Sequence, residues 1–144
     1  MSGALLDTHA LIWLYDPAPM SVEALVSIDI TSHSGSLYIS PISAWELGAA
    51  SRKKNPALRP ALRGLAPEEW FTEAVNALGV QAAPISQQIG LEACMLPTLY
   101  GHADPGDCFL IATAHVLKLT LITRDRRILD FSSRNPNYLS TIPC

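Results

Sequence analysis

The sequence predicts an α/β sandwich built on a mainly parallel sheet of four to five strands, and two observations carry that prediction. Short runs such as GALLD at 3–7 and LTLIT at 119–123 are apolar without polar alternation, the pattern of strands covered on both faces. Helical patterns fall between the strand candidates, and parallel neighbours need crossover connections of that kind.

Taken in order, GALLD opens the sheet and a helix is expected over 9–15, followed by a second over 21–32. LYIS at 37–40 is the second strand, and Ser40 before Pro41 marks the start of a helix over 41–53: a capping hydroxyl precedes a proline whose missing N–H costs nothing. A helix over 67–78, a strand within VQAAPI at 80–85 and a helix over 86–96 come next. Asp104 and Pro105 repeat the cap-and-proline signal at the head of a helix over 105–118, which leads into LTLIT. YLSTI at 138–142 is expected as a short edge strand. The proline-rich stretches DPAPM and NPALRP are connections within one domain spanning 1–144.

Composition narrows the functional classes. The chain has 144 residues, 49% of them hydrophobic and 16% charged, enough for one sizeable core. Its apolar runs fall short of the ~18 residues of a membrane span, and its first residues carry Asp7 and His9 rather than a basic leader. Cys94, Cys108 and Cys144 form no CxxC pair, as a reducing compartment tolerates, so a cytoplasmic protein is expected. A net charge of −3 argues against bulk attraction to nucleic acid. Two local basic strips remain: Arg52, Lys53 and Lys54 in SRKKNPALRPALR, and Arg124, Arg126 and Arg127 in TRDRR. The plainer account of each strip is a solvated face.

The acids are more informative. Asp7 ends the first strand and Asp125 follows LTLIT by one residue, so both belong at carboxyl ends of core strands, where open parallel sheets bind ligands. Asp107 sits in the first turn of an apolar helix that points into the same crevice, and Asp104 caps that helix. In SPISAWELGAASRKK, helical spacing puts Glu46 on one face with Ile42, Trp45 and Ala49, an apolar side expected to meet the sheet. A carboxylate there needs a partner, and a buried salt bridge is the plainer alternative, as turn or cap duty is for the aspartates. Like charges ~4 Å apart repel by roughly 4 kcal/mol at a surface dielectric, so converging acids must take up protons or hold cations. Hard oxygen donors suit Mg²⁺ or Mn²⁺, and no Cys/His cluster suits zinc. His9 and His102 each stand alone and read as exposed or structurally satisfied.

LLDTHALIWL, ISPISAWELG and HADPGDCFLIATAHVLKLTLITRDRRI, in that order, resemble the PIN domain of VapC-type toxin ribonucleases over nearly the whole chain. The resemblance implies a three-layer α/β/α sandwich, a divalent-metal-dependent endoribonuclease, and a dimer held inactive by a small antitoxin. By position its acids are Asp7, Glu46, Asp107 and Asp125, with Asp104 as a further metal contact and Thr8 and Thr123 as supporting hydroxyls. Relatives commonly carry arginine after the third acid, where this chain has Cys108.

The expected mechanism is metal-assisted phosphodiester hydrolysis, with Mg²⁺ or Mn²⁺ on Asp7 and Asp107 and the shell completed by Glu46 and Asp125. RNA is expected along Arg124, Arg126, Arg127, Arg52, Lys53 and Lys54, which would position phosphates without reading bases. Partner contacts are sought around Trp13 and Leu14 and near Trp70 and Phe71, although core packing competes for those side chains. Alternatives are a nuclease acting on DNA, an RNA-processing enzyme without an antitoxin, and a catalytically silent interaction module.

Overall fold

A computed structural model describes residues 3–16, 18–101 and 104–144, the Tyr100 side chain excepted. Five strands, β1 (Ala4–Leu6), β2 (Leu37–Ile39), β3 (Gln81–Ala82), β4 (Thr120–Thr123) and β5 (Thr141–Pro143), form one sheet. Its order is β3-β2-β1-β4-β5, and every pairing is parallel. The central strand β1 sets Leu5 opposite Tyr38 on one side and Leu121 on the other. The helices are α1 (Thr8–Tyr15), α2 (Val22–His33), α3 (Pro41–Ser51), α4 (Pro67–Leu78), α5 (Gln87–Tyr100), α6 (Pro105–Leu117) and α7 (Arg126–Arg134). A 3-10 turn covers Pro56–Leu58.

Alternation along the strands divides the core into two layers. Ala4, Leu6, Leu37, Ile39 and Ile122 meet α1 to α4 through residues such as Leu11, Ile28, Leu47 and Trp70. Leu5 and Leu121 face the other way, onto Ile89, Leu96, Ile111, Ile128 and Phe131 of α5 to α7. The three-layer α/β/α sandwich is therefore realised, with β1 fully dry on both faces. Among the described residues no helix is long and apolar enough to cross a membrane.

Several boundaries differ from expectation. The third strand shrinks to Gln81–Ala82, and the edge strand moves to Thr141–Pro143, where Pro143 sits on an edge that needs no further donor. Helix α5 runs past Pro97 to Tyr100 because Gly101, at φ 75°, caps it one turn later and donates its N–H to Pro97 O at 3.0 Å. Helix α7 was not expected from the sequence, although Asp125 caps it and Ile128 and Phe131, three residues apart, bury its inner side.

Candidate metal and phosphodiester site

Strand β1 has β2 on one side and β4 on the other, so the chain crosses to opposite sides of the sheet from its carboxyl end. Such a switch point leaves a crevice beyond the strand ends. Asp7 leaves β1 there, its own N–H donating to Ile122 O at 3.1 Å. Asp7 is the N-cap of α1, with Oδ1 accepting from the Ala10 N–H at 2.7 Å. Asp125 caps α7 and accepts from the Arg127 N–H at 2.9 Å, while Asp104 caps α6 and accepts from the Asp107 N–H at 3.1 Å. Three helix N-termini thus each bring a carboxylate, and their unpaired N–H groups and dipoles favour negative charge. Capping accounts for part of each aspartate's role.

Asp7, Glu46, Asp104, Asp107 and Asp125 line one cavity of about 480 Å³, together with Thr8. Hydroxyls orient the two acids that the strands and α3 supply. Thr123 Oγ1 donates to Asp7 Oδ2 at 2.5 Å and accepts from the Asp125 N–H at 3.0 Å, linking the ends of β1 and β4. Thr8 Oγ1 donates to Glu46 Oε1 at 2.6 Å and lies 2.9 Å from Ser43 Oγ. Each threonine hydroxyl thus contacts one of the acids. Asp7 is 6% exposed and Asp107 9% exposed, and Asp107 Oδ2 is buried with no hydrogen-bond partner among the described residues.

The electrostatic cost of this gathering appears in the acids' proton affinities. Burial raises Asp7, against the Thr123 and Ala10 hydrogen bonds, with the Asp125 charge adding to the rise. Burial also raises Glu46, with Asp104 and Asp7 adding to it and the Thr8 hydrogen bond opposing it. Asp107 is pushed up to about 7 by burial and by the charges of Asp104, Asp125 and Glu46, with Arg127 opposing them. An all-oxygen donor set that is short of positive charge and contains an orphaned buried carboxylate oxygen fits a hard divalent cation. Among the described residues no three His, Cys, Asp or Glu side chains are grouped closely enough to hold a metal ion as they stand.

One expectation about α3 needs correction. The face of α3 that meets the core is Ser43 and Leu47, while Trp45 is 65% exposed and Ala49 is also exposed. Glu46 lies at the boundary, because the helix is rotated so that its small and aliphatic residues pack and the indole does not. Gly106 was not singled out from the sequence: a Cβ there would stand 2.6 Å from Glu46 Oε2, so only glycine lets this carboxylate lie against the first turn of α6. Cys108 points into the core with Leu110 and Ile111, and burial raises its thiol. His9 is exposed, at the rim of the cavity, whereas His102 lies outside the described residues.

The six basic residues do not form one track. Arg124 and Arg127 line the acid cavity. Arg124 is already committed, however: Nε donates to Cys144 O and Nη2 to Pro19 O, both at 2.7 Å, and its guanidinium lies 3.9 Å over the Trp13 ring. Lys53 lines a neighbouring recess, Arg52 ends α3 beside another, and Arg126 and Lys54 are exposed outside the cavity lining. Trp70 is fully buried against Tyr15, ring edge to face at 5.4 Å, which removes it from the candidate partner contacts.

With this geometry in place, known proteins offer a comparison. A family described as PIN domain matches residues 4–133. Ribonuclease VapC22 of Mycobacterium tuberculosis is 30% identical over 138 residues, covering 94% of this chain and 95% of its own. VapBC2 from Rickettsia felis, solved bound to a DNA fragment from its promoter, superposes with a TM-score of 0.67 at 13% identity, covering 98% of each chain. A toxin-antitoxin complex from Klebsiella pneumoniae gives 0.56 at 25% identity, over 85% of this chain and 87% of that one.

Proposed function

The chain belongs to the PIN-domain family, among its VapC-like members, and from that premise we propose a metal-dependent endoribonuclease that serves as the toxin of a toxin-antitoxin pair. The observation that carries the reading is the meeting of Asp7, Glu46, Asp104, Asp107 and Asp125 in one cavity, with Asp107 Oδ2 buried and without a hydrogen-bond partner among the described residues.

Asp7 and Asp107 would hold Mg²⁺ or Mn²⁺, with Glu46 and Asp125 completing the shell directly or through water, and Asp104 assisting. A bound divalent ion supplies water activation and offsets charge growing on the phosphate. The protein's own contribution is placement. Thr123 and the Ala10 N–H fix both oxygens of Asp7, and Thr8 fixes one of Glu46. The burial and neighbouring carboxylates that push Asp107 up to about 7 are what a bound cation would offset, leaving this acid ionised. Arg127 stands at the cavity where a phosphodiester would lie, and a charged contact of this kind positions the strand without reading its bases.

Protein partners follow from the same reading. Helix α5 exposes Leu91, Met95 and Leu99, and α2 exposes Val22, Val26 and Ile30, two apolar stripes of the sort that mark association surfaces. They support a homodimer and an antitoxin, the latter also by analogy with the toxin-antitoxin complex from Klebsiella pneumoniae.

The test is incubation of purified protein with total RNA, single-stranded DNA and a small phosphomonoester, each with Mg²⁺, Mn²⁺ or chelator. RNA cleavage that needs the cation and falls at least ~100-fold in Asp7→Asn, with folding kept, is the expected result. Cleavage at wild-type level in Asp7→Asn overturns the assignment, and preference for DNA or the monoester replaces the substrate.

A further inference from the structure

Beside the acid cavity lies a second recess of about 440 Å³, between α1, α3 and the 3-10 turn at Pro56–Leu58. The two share Thr8, His9 and Glu46 as a common wall. Beyond that wall the character changes. Trp45, 65% exposed, and Leu58, 61% exposed, line the recess, and Lys53 and Arg59 stand at it. A large indole left open to water beside a carboxylate cluster serves no packing purpose that the fold requires.

The recess is also built. Asn55 Oδ1 accepts from the Ala57 N–H at 3.0 Å and so fixes the 3-10 turn. Arg59 Nε donates to Lys53 O at 2.7 Å, tying the far side of the loop to the end of α3. Among the described residues neither Lys53 nor Arg59 enters a salt bridge, so both charges remain available to an anion.

We infer that this recess seats one unpaired nucleobase of the RNA strand, stacked on Trp45, while the adjoining phosphodiester lies at the acid cavity. The inference rests on the RNA-cleaving reading above and adds to it a base-binding position. Three features select this occupant. The recess is continuous with the acid cavity, so a strand lying there must place its next nucleotide nearby. An exposed indole offers a stacking face that any base fits. The cations Lys53 and Arg59 complement the next phosphate, whereas an acidic peptide would meet Glu46. Because a base within a duplex is unavailable for stacking on protein, the position selects single-stranded segments.

The experiment measures binding and cleavage separately. Binding is recorded in chelator from the fluorescence anisotropy of an end-labelled, unstructured oligoribonucleotide for wild type, Trp45→Ala and Trp45→Phe, with the same sequence annealed into duplex as a second probe. Trp45→Ala is expected to bind the single strand roughly tenfold to a hundredfold more weakly, Trp45→Phe to recover most of that loss, and the duplex to bind poorly. With metal present the loss appears in KM more than in kcat. In a set of oligonucleotides each lacking one base, one position should make wild type and Trp45→Ala equal. Leu58→Glu, across the recess, should act in the same direction as Trp45→Ala. Single-strand affinity within twofold of wild type in folded Trp45→Ala, as expected of a groove that receives a protein segment, overturns the base position even if the enzyme cleaves RNA. Trp45-dependent binding without cleavage leaves the base position standing and removes the nuclease reading.

Discussion

Glu46 Oε2 lies 2.6 Å from the point where Gly106 would carry a Cβ, so the carboxylate that α3 contributes rests against the bare backbone of α6. Gly106→Ala would move Glu46 away from Asp104 and Asp107. Alanine is the better helix former by roughly 1 kcal/mol, so the fold should not suffer from propensity. We expect weaker Mn²⁺ binding by calorimetry, about tenfold, with a melting temperature close to wild type. Unchanged affinity for the ion would show that Glu46 has no share in holding it.

Thr123 joins two acids by one hydroxyl. Thr123→Val keeps the shape but leaves Asp7 Oδ2 without its donor and the Asp125 N–H without its acceptor. Thr123 is fully buried, so the loss should be about 1–3 kcal/mol in chemical denaturation. Cleavage should fall as well, because Asp7 then has one anchor instead of two. A variant as stable and as active as wild type refutes both roles.

The raised acids give a signed pH dependence. For Asp107, with a folded value of about 7 against an ordinary 3.8, the folded state holds a proton that the unfolded chain has released. Its contribution to stability is therefore complete below the ordinary value and is lost as pH climbs through about 7. Asp7 and Glu46 shift in the same direction. In chelator, the melting temperature should fall between pH ~4 and ~8, with at most about 1.4 kcal/mol per pH unit from each group. Saturating Mn²⁺ should flatten the slope, since the cation binds the ionised form. Asp107→Asn should flatten it in part, and a metal-free protein that grows more stable over this range would contradict the buried-acid description.

Arg124 closes the end of the sheet by bonding Pro19 O and Cys144 O while stacking on Trp13. Arg124→Ala should expose the β5 amides to hydrogen exchange first and cost about 2 kcal/mol in denaturation. An effect on RNA affinity with β5 protection intact would instead mark this guanidinium as a phosphate contact.

Much of the site was legible because its acids occupy positions with local signatures. Asp104 before Pro105 announces a cap, and Asp7 and Asp125 follow apolar strands whose ends define the crevice in any parallel sheet. Convergence of Asp7 and Asp125 follows from topology once β1 and β4 are neighbours. What stayed hidden depends on tertiary contact. Gly106 looks like any helix-start glycine until Glu46 is placed beside it, and the rotation of α3 that exposes Trp45 is set by the packing of Ser43 and Leu47. The basic strips misled because proximity in sequence says nothing about where guanidinium groups end: Arg124 turns to two carbonyls while its neighbour Arg126 stays outside the cavity. Helix α7 was masked by its charged opening, although Ile128 and Phe131 give it an inner face.

The pairing of β1 with β4 joins residues more than a hundred positions apart, and Asp7 meets Thr123 only across that seam. An unfinished polypeptide still emerging from the ribosome therefore lacks Arg124, Asp125 and Arg127 of the pocket wall until its last quarter has been translated. For reasons of chain connectivity alone, the acid cavity is complete only once β4 has taken its place beside β1.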